Sequence, residues 1–96
     1  MAAYLIAEID VHDADVYEEY KALTPAAVAA YGGKFIVRGG AVQPKEGDWH
    51  PKRLVVIEFA DMATAQRFYD SPEYAKPLAM RKRSAKTRLI LIEGAA

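Results

Sequence analysis

The chain has 96 residues, 52% of them hydrophobic, with 13 acidic and 13 basic side chains and no cysteine. That length predicts a single domain over 1–96, with enough apolar material for a core and a motive to bury more surface by self-association. Balanced charge argues against a nucleic-acid or membrane binder, and the lack of cysteine excludes disulfides, thiolate metal sites, iron–sulfur clusters and a cysteine nucleophile.

The chain does not start with a basic stretch followed by a long apolar run, and no apolar run approaches the ~20 residues needed to cross a bilayer. The expected location is therefore cytoplasmic.

Tyr4 to Asp10 reads as a first strand, rich in β-favouring residues. Asp13 is a suitable N-cap for a helix carrying apolar residues at Val16, Tyr17, Tyr20, Leu23, Ala27, Val28 and Tyr31. Thr24-Pro25 falls inside that pattern and predicts a kinked or two-piece helix over 13–30. Gly32-Gly33 ends it. Lys34 to Arg38 is a second strand, 39–52 a long connection holding the only tryptophan, and Arg53 to Phe59 a third strand. Asp61 caps a helix running to Tyr69. Ser71-Pro72 starts another piece, to about Ser84, which Pro77 should strain or divide. Thr87 to Glu93 is the last strand. The order β-α-β-β-α-β predicts an α+β, ferredoxin-like fold on a four-stranded antiparallel sheet.

Both faces of that sheet read as apolar. Leu5, Ala7, Ile9, Val55, Ile57 and Phe59 make one face, and Tyr4, Ile6, Glu8, Leu54, Val56 and Glu58 make the other. The helices can cover only one of them. Burying roughly 600 Å² of the other is worth on the order of 15 kcal/mol gross at about 25 cal/mol/Å². The expected cover is a second copy, sheet on sheet in a homodimer; the alternative is the 39–52 loop.

Few residues suggest chemistry. Arg38, ending a mostly apolar strand before Gly39-Gly40, could fork to a carboxylate or make a structural ion pair. Glu8 and Glu58 fall at equivalent places in two strands and could do acid–base work or simply pair with basic neighbours. Tyr17, Tyr20, Tyr31, Tyr69 and Tyr74 could line a pocket for a planar ligand or serve as core. His12 and His50 lie in predicted loops without metal-ligand spacing, so no metal or haem is expected. Arg81, Lys82, Arg83, Lys86 and Arg88 form a basic cluster whose first part suits a helix C-terminus. No phosphate loop, dinucleotide fingerprint, nucleophile elbow or zinc-protease motif occurs, so no cofactor is expected.

The runs Tyr31 to Gly40, Glu46-Gly47-Asp48-Trp49, Arg53 to Phe59, and Tyr69 to Tyr74 with Arg81 resemble domain of unknown function 1330 over nearly the whole chain. That family belongs to the dimeric α+β barrel superfamily, so the resemblance implies a ferredoxin-like dimer with a pocket between helices and sheet in each subunit. By position it points to Arg38 and Glu58, with Tyr20 and Tyr69 nearby. Superfamily members include cofactor-free monooxygenases, muconolactone isomerases, haem-degrading enzymes and ligand binders. This chain has no asparagine, so oxygen activation through an Asn side chain is closed to it.

The resulting expectation is a homodimer binding a small anionic or aromatic metabolite. Arg38 would hold the anion, Glu58 would orient Arg38 or accept a proton, and Tyr20 and Tyr69 would form walls. The alternatives are a cofactor-independent monooxygenase or isomerase with Glu58 as general base, and a dimerisation module without ligand.

Overall fold

A computed structural model describes residues 1–95, so Ala96 of the expected 1–96 span lies outside the described residues. The elements are β1 (Ala3–Val11), α1 (Ala14–Ala30), β2 (Lys34–Arg38), β3 (Leu54–Phe59), α2 (Met62–Tyr69), α3 (Pro72–Ser84) and β4 (Ala85–Glu93). The strands form one antiparallel sheet in the order β2-β3-β1-β4, as the ferredoxin-like expectation requires.

The caps are those the sequence predicts. Asp13 accepts from the Val16 amide, Asp61 accepts from the Thr64 amide at 2.8 Å, and Ser71 accepts from the Tyr74 amide at 3.1 Å. Each side-chain oxygen satisfies an N–H that the first turn leaves without a partner. After α1 the chain turns through Gly32 at φ +68, and Gly33 packs so closely that a Cβ there would lie 2.7 Å from both Phe59 and Val28.

The prolines break neither helix. α1 runs unbroken through Pro25, and α3 through Pro77. Pro25 has no N–H to give the carbonyl of Lys21, four residues back. That carbonyl instead accepts from Nη2 of Arg38 at 3.0 Å. Thr24 donates its hydroxyl to the Tyr20 carbonyl at 2.7 Å, tightening the same turn. The last strand starts at Ala85, ahead of the expected Thr87, because α3 passes straight into it. The Ser84 carbonyl accepts from the amides of His12 and Asp13, tying this junction to the end of β1.

The helices cover one face of the sheet. Ala3, Leu5, Ala7, Ile9, Val55, Ile57 and Phe59 are buried there with Phe68 and Tyr74. On the other face Ile90 and Ile92 are 56% and 47% exposed. Ile6 pairs in register with Val56 and Ile90, so the apolar strip crosses three strands. The 39–52 loop does not cover it. Its Trp49 reaches the face at Glu8 and stays 57% exposed.

One irregularity decides which side Arg38 occupies. The β2–β3 register shifts between Phe35 and Val37, so Val37 pairs with Val56 and Arg38 with Val55. A bulge of this kind exchanges the faces of all residues beyond it. Arg38 therefore lies on the helix side, with buried Val55.

Candidate functional site

Helices α1 and α3 lie against each other over the sheet. α1 buries Tyr17, Tyr20, Thr24, Ala27 and Val28, and α3 buries Tyr74, Pro77, Met80, Arg81 and Ser84. These spacings of three and four residues make one face of a helix. Where the two faces meet, a polar seam runs through the apolar interior. Arg53 donates its Nε–H to the Tyr17 hydroxyl at 2.9 Å. The rings of Tyr17 and Tyr20 are 5.3 Å apart. The hydroxyls of Tyr20 and Tyr74 are 3.1 Å apart, and Arg81 donates Nε–H to the Tyr74 hydroxyl at 3.4 Å. Phe68 and Tyr69 flank Tyr74, with ring centroids 4.5 and 6.1 Å away.

The electrostatics of this seam are lopsided. Arg81 is only 3% exposed. The ion pairs among the described residues join Lys21 to Glu18, Lys52 to Asp10 and Arg88 to Glu8. No carboxylate of the described residues therefore lies within 4.0 Å of the Arg53 or Arg81 guanidinium. A buried charge normally has a counter-charge, because desolvation penalises it otherwise. Burial pulls the Arg81 pKa down, but the oxygens of Tyr74, Tyr20 and Tyr69 outweigh it and the net shift is upward, so the guanidinium stays charged. Burial also pushes the Tyr20 phenol far above its ordinary value, assisted by Tyr74. The seam thus presents a fixed cation and neutral hydroxyls.

An apolar cavity of about 280 Å³ opens in the groove between α1 and α3, lined by Leu23, Ala26, Ala27, Glu73, Lys76 and Pro77. Leu23 and Ala27 stand one and two turns from Tyr20, and Pro77 one turn from both Tyr74 and Arg81. It neighbours the seam along both helices, and none of the seam's tyrosines or arginines lines it. A cavity of about 340 Å³ lies at the other side of the sheet, beside Glu8, Asp10, His50, Lys52, Lys86 and Arg88. Its carboxylates are already engaged by Arg88 and Lys52.

The expected site residues do not come together as a group. Tyr20 and Tyr69 both adjoin Tyr74 in the seam. Arg38 sits at the sheet edge, exposed, with its guanidinium 4.4 Å from the Phe35 ring and a hydrogen bond to the Lys21 carbonyl. Glu58 lies on the opposite, open face, where it accepts from the Tyr4 hydroxyl at 3.1 Å and stands across from Lys34. Within one chain, then, Glu58 does not orient Arg38; the bulge in β2 separates them. Glu8 shares the open face and is bound by Arg88 and by the Trp49 indole, whose hydrogen bonds hold its carboxyl below the ordinary range.

The basic cluster is likewise not one patch. Lys82 and Arg83 are exposed, Arg88 is on the open face, and Arg81 is in the core. The sequence set Arg81 among cations that suit a helix end and Tyr74 among tyrosines that could line a pocket, without joining the two. The available signal was the spacing Tyr74, Pro77, Arg81, Ser84, one stripe of α3 in which a charged residue occupies a core position. Among the described residues no group of His, Asp or Glu is placed to hold a metal ion, and no helix is long and apolar enough to cross a membrane.

The family described as "Domain of unknown function (DUF1330)" matches residues 2–95. The sequence matches no curated protein. Among solved structures, a protein of unknown function from Rhodopseudomonas palustris is similar at 16% identity, covering 99% of this chain and 83% of that one, with a TM-score of 0.74. A dimeric ferredoxin-like protein of unknown function from Jannaschia sp. CCS1 is 15% identical over 98% of this chain and all of that one (100%), with a TM-score of 0.75. SnoaB, a cofactor-independent oxygenase from Streptomyces nogalater, is 16% identical over 99% of this chain and 94% of that one, at 0.70. At these identities the likeness is one of fold.

Proposed function

The chain belongs to the DUF1330 family, and from that premise we propose that it is a homodimer whose subunits each bind a small aromatic acid in the seam between helices and sheet. The observation that carries this reading is Arg81, a residue 3% exposed whose guanidinium meets the Tyr74 hydroxyl and no carboxylate among the described residues. A planar aromatic carboxylate complements such a place. Its charge compensates the cation through a charge-assisted hydrogen bond, and its ring packs among tyrosine and phenylalanine rings. The anion-holding role expected of Arg38 passes to Arg81, while Tyr20 and Tyr69 keep their place as walls beside Tyr74. Arg38 satisfies the carbonyl that Pro25 leaves open.

Dimerisation would close the open sheet face, where Ile90 and Ile92 are exposed. The Jannaschia neighbour, itself dimeric, supports that arrangement. The balance of charge and the lack of cysteine are compatible with a cytoplasmic setting.

The test is native mass spectrometry for the subunit count together with calorimetric titration of the protein with benzoate. The expected results are a dimer, measurable benzoate binding, and affinity at least ~tenfold weaker in Arg81→Met. A monomer would overturn the sheet-to-sheet pairing. A dimer that ignores benzoate, with tyrosine rings filling their own space, would be the dimerisation module instead. One observation favours a second reading, an enzyme without cofactor: the fold likeness to the Streptomyces nogalater oxygenase. Glu58 faces away from the seam, so it is not the base for a ligand held there by the same chain. Oxygen uptake in the presence of a bound aromatic acid would distinguish enzyme from binder.

A further inference from the structure

Thr87 carries the only buried side-chain oxygen or nitrogen without a hydrogen-bond partner among the described residues. Its place in the sheet connects it with the seam. Thr87 pairs with Ile9 across β4 and β1, and the Ile9 amide donates to the Arg53 carbonyl at 2.9 Å. Thr87, Ile9 and Arg53 thus form one row across the sheet. Ile9 is 2% exposed and faces the helices, and strand pairing puts Thr87 on the same side. Arg53 is the residue whose Nε reaches Tyr17 at one end of the seam. Arg81, at the other end, lies in the last turn of α3, which passes directly into β4, and Thr87 is the third residue of that strand. The orphaned hydroxyl therefore lies on the helix-facing side of the sheet, in the row that ends at Arg53.

A threonine here needs a reason. Valine has nearly the same shape, suits a strand equally well and would leave nothing unsatisfied. A buried hydroxyl without a protein partner is most simply explained by a partner that comes and goes.

We propose that Thr87 is a specificity-determining residue of the seam, hydrogen-bonding a hydroxyl or carbonyl substituent on the aromatic acid whose carboxylate Arg81 holds. The proposal rests on the reading of the seam given above and narrows its ligand class from aromatic acids to hydroxy- or oxo-substituted ones. Arg81 then supplies attraction for the anion, and Thr87 supplies discrimination. A hydroxyl that would be left unpaired by an unsubstituted acid disfavours that acid.

The experiment is calorimetric titration of the full chain with benzoate and with 2-, 3- and 4-hydroxybenzoate, in the wild type, Thr87→Val and Thr87→Ser. At least one hydroxybenzoate is expected to bind the wild type about five- to tenfold tighter than benzoate, the worth of one hydrogen bond. Thr87→Val should collapse that ratio to about one, and Thr87→Ser should keep it. Thr87→Ala serves the same comparison if the valine variant does not fold. A ratio that survives loss of the hydroxyl overturns the proposal. So does benzoate binding in the wild type with no hydroxybenzoate favoured, which would leave Thr87 holding an ordered water only. If none of the four acids binds the wild type, both the seam reading and the assignment of Thr87 fall. Binding of benzoate alone separates the two failures.

Discussion

The two faces of the sheet treat charge in opposite ways. On the open face each carboxylate has a partner: Glu8 is held by Arg88 and Trp49, and Glu58 by the Tyr4 hydroxyl. On the helix side the guanidiniums of Arg53 and Arg81 meet phenols, and Arg38 meets a backbone carbonyl, with no carboxylate for any of them. The open face has settled its charges and left its aliphatic side chains exposed. The helix side has buried its aliphatic side chains and left a cation unsettled. An apolar surface with paired charges suits a protein partner, whereas a buried unpaired cation suits a small anion. Substitutions on each face should therefore fail in different ways.

The largest effect is expected in the helix-side core. Phe68 is fully buried between Phe59 and Tyr74. Phe68→Ala should cost about 3–5 kcal/mol of stability by chemical denaturation. The paired change Ile90→Lys with Ile92→Lys on the open face should leave the subunit folded but convert dimer to monomer, as read by sedimentation. If the double variant stays dimeric, the open face is not the interface.

Arg81→Met sharpens the contrast. Removing a buried unpaired cation in favour of an apolar side chain of similar length should leave thermal stability unchanged or raised while benzoate binding is lost. A large drop in melting temperature would mean that Arg81 is a structural strut.

A smaller effect is expected at Arg38. Arg38→Ala should cost about 1 kcal/mol by freeing the Lys21 carbonyl. In a Pro25→Ala background, where an amide returns to serve that carbonyl, the cost should shrink by roughly half a kcal/mol. Equal costs in the two backgrounds would dissociate Arg38 from Pro25.

The smallest effect is the pH response of the open face. Trp49 and Arg88 depress the Glu8 pKa below its ordinary 4.5. A depressed carboxylate stabilises the fold fully above its unfolded value, and that contribution is lost as pH falls through the lower folded value. Below about pH 4.5 the fluorescence of Trp49 should begin to shift as its indole loses its acceptor. Glu8→Gln should remove that transition.

Much of this protein can be read from local sequence alone. The caps at Asp13, Asp61 and Ser71, the turn at Gly32-Gly33 and the period-two strands determine the elements and their order, because capping and alternation act over three or four residues. The second apolar face is equally legible, since strand parity assigns each side chain to a side. Three features depended on distant partners. Pro25 does not divide α1, because Arg38 on another element serves the carbonyl it abandons. Arg38 and Glu58 part company, because one extra residue in β2 reverses its parity. Arg81 leaves a run of surface cations for the core, because the stripe it shares with Tyr74 faces α1. In each case the deciding contact spans the chain, where tertiary packing alone chooses the side on which a side chain ends.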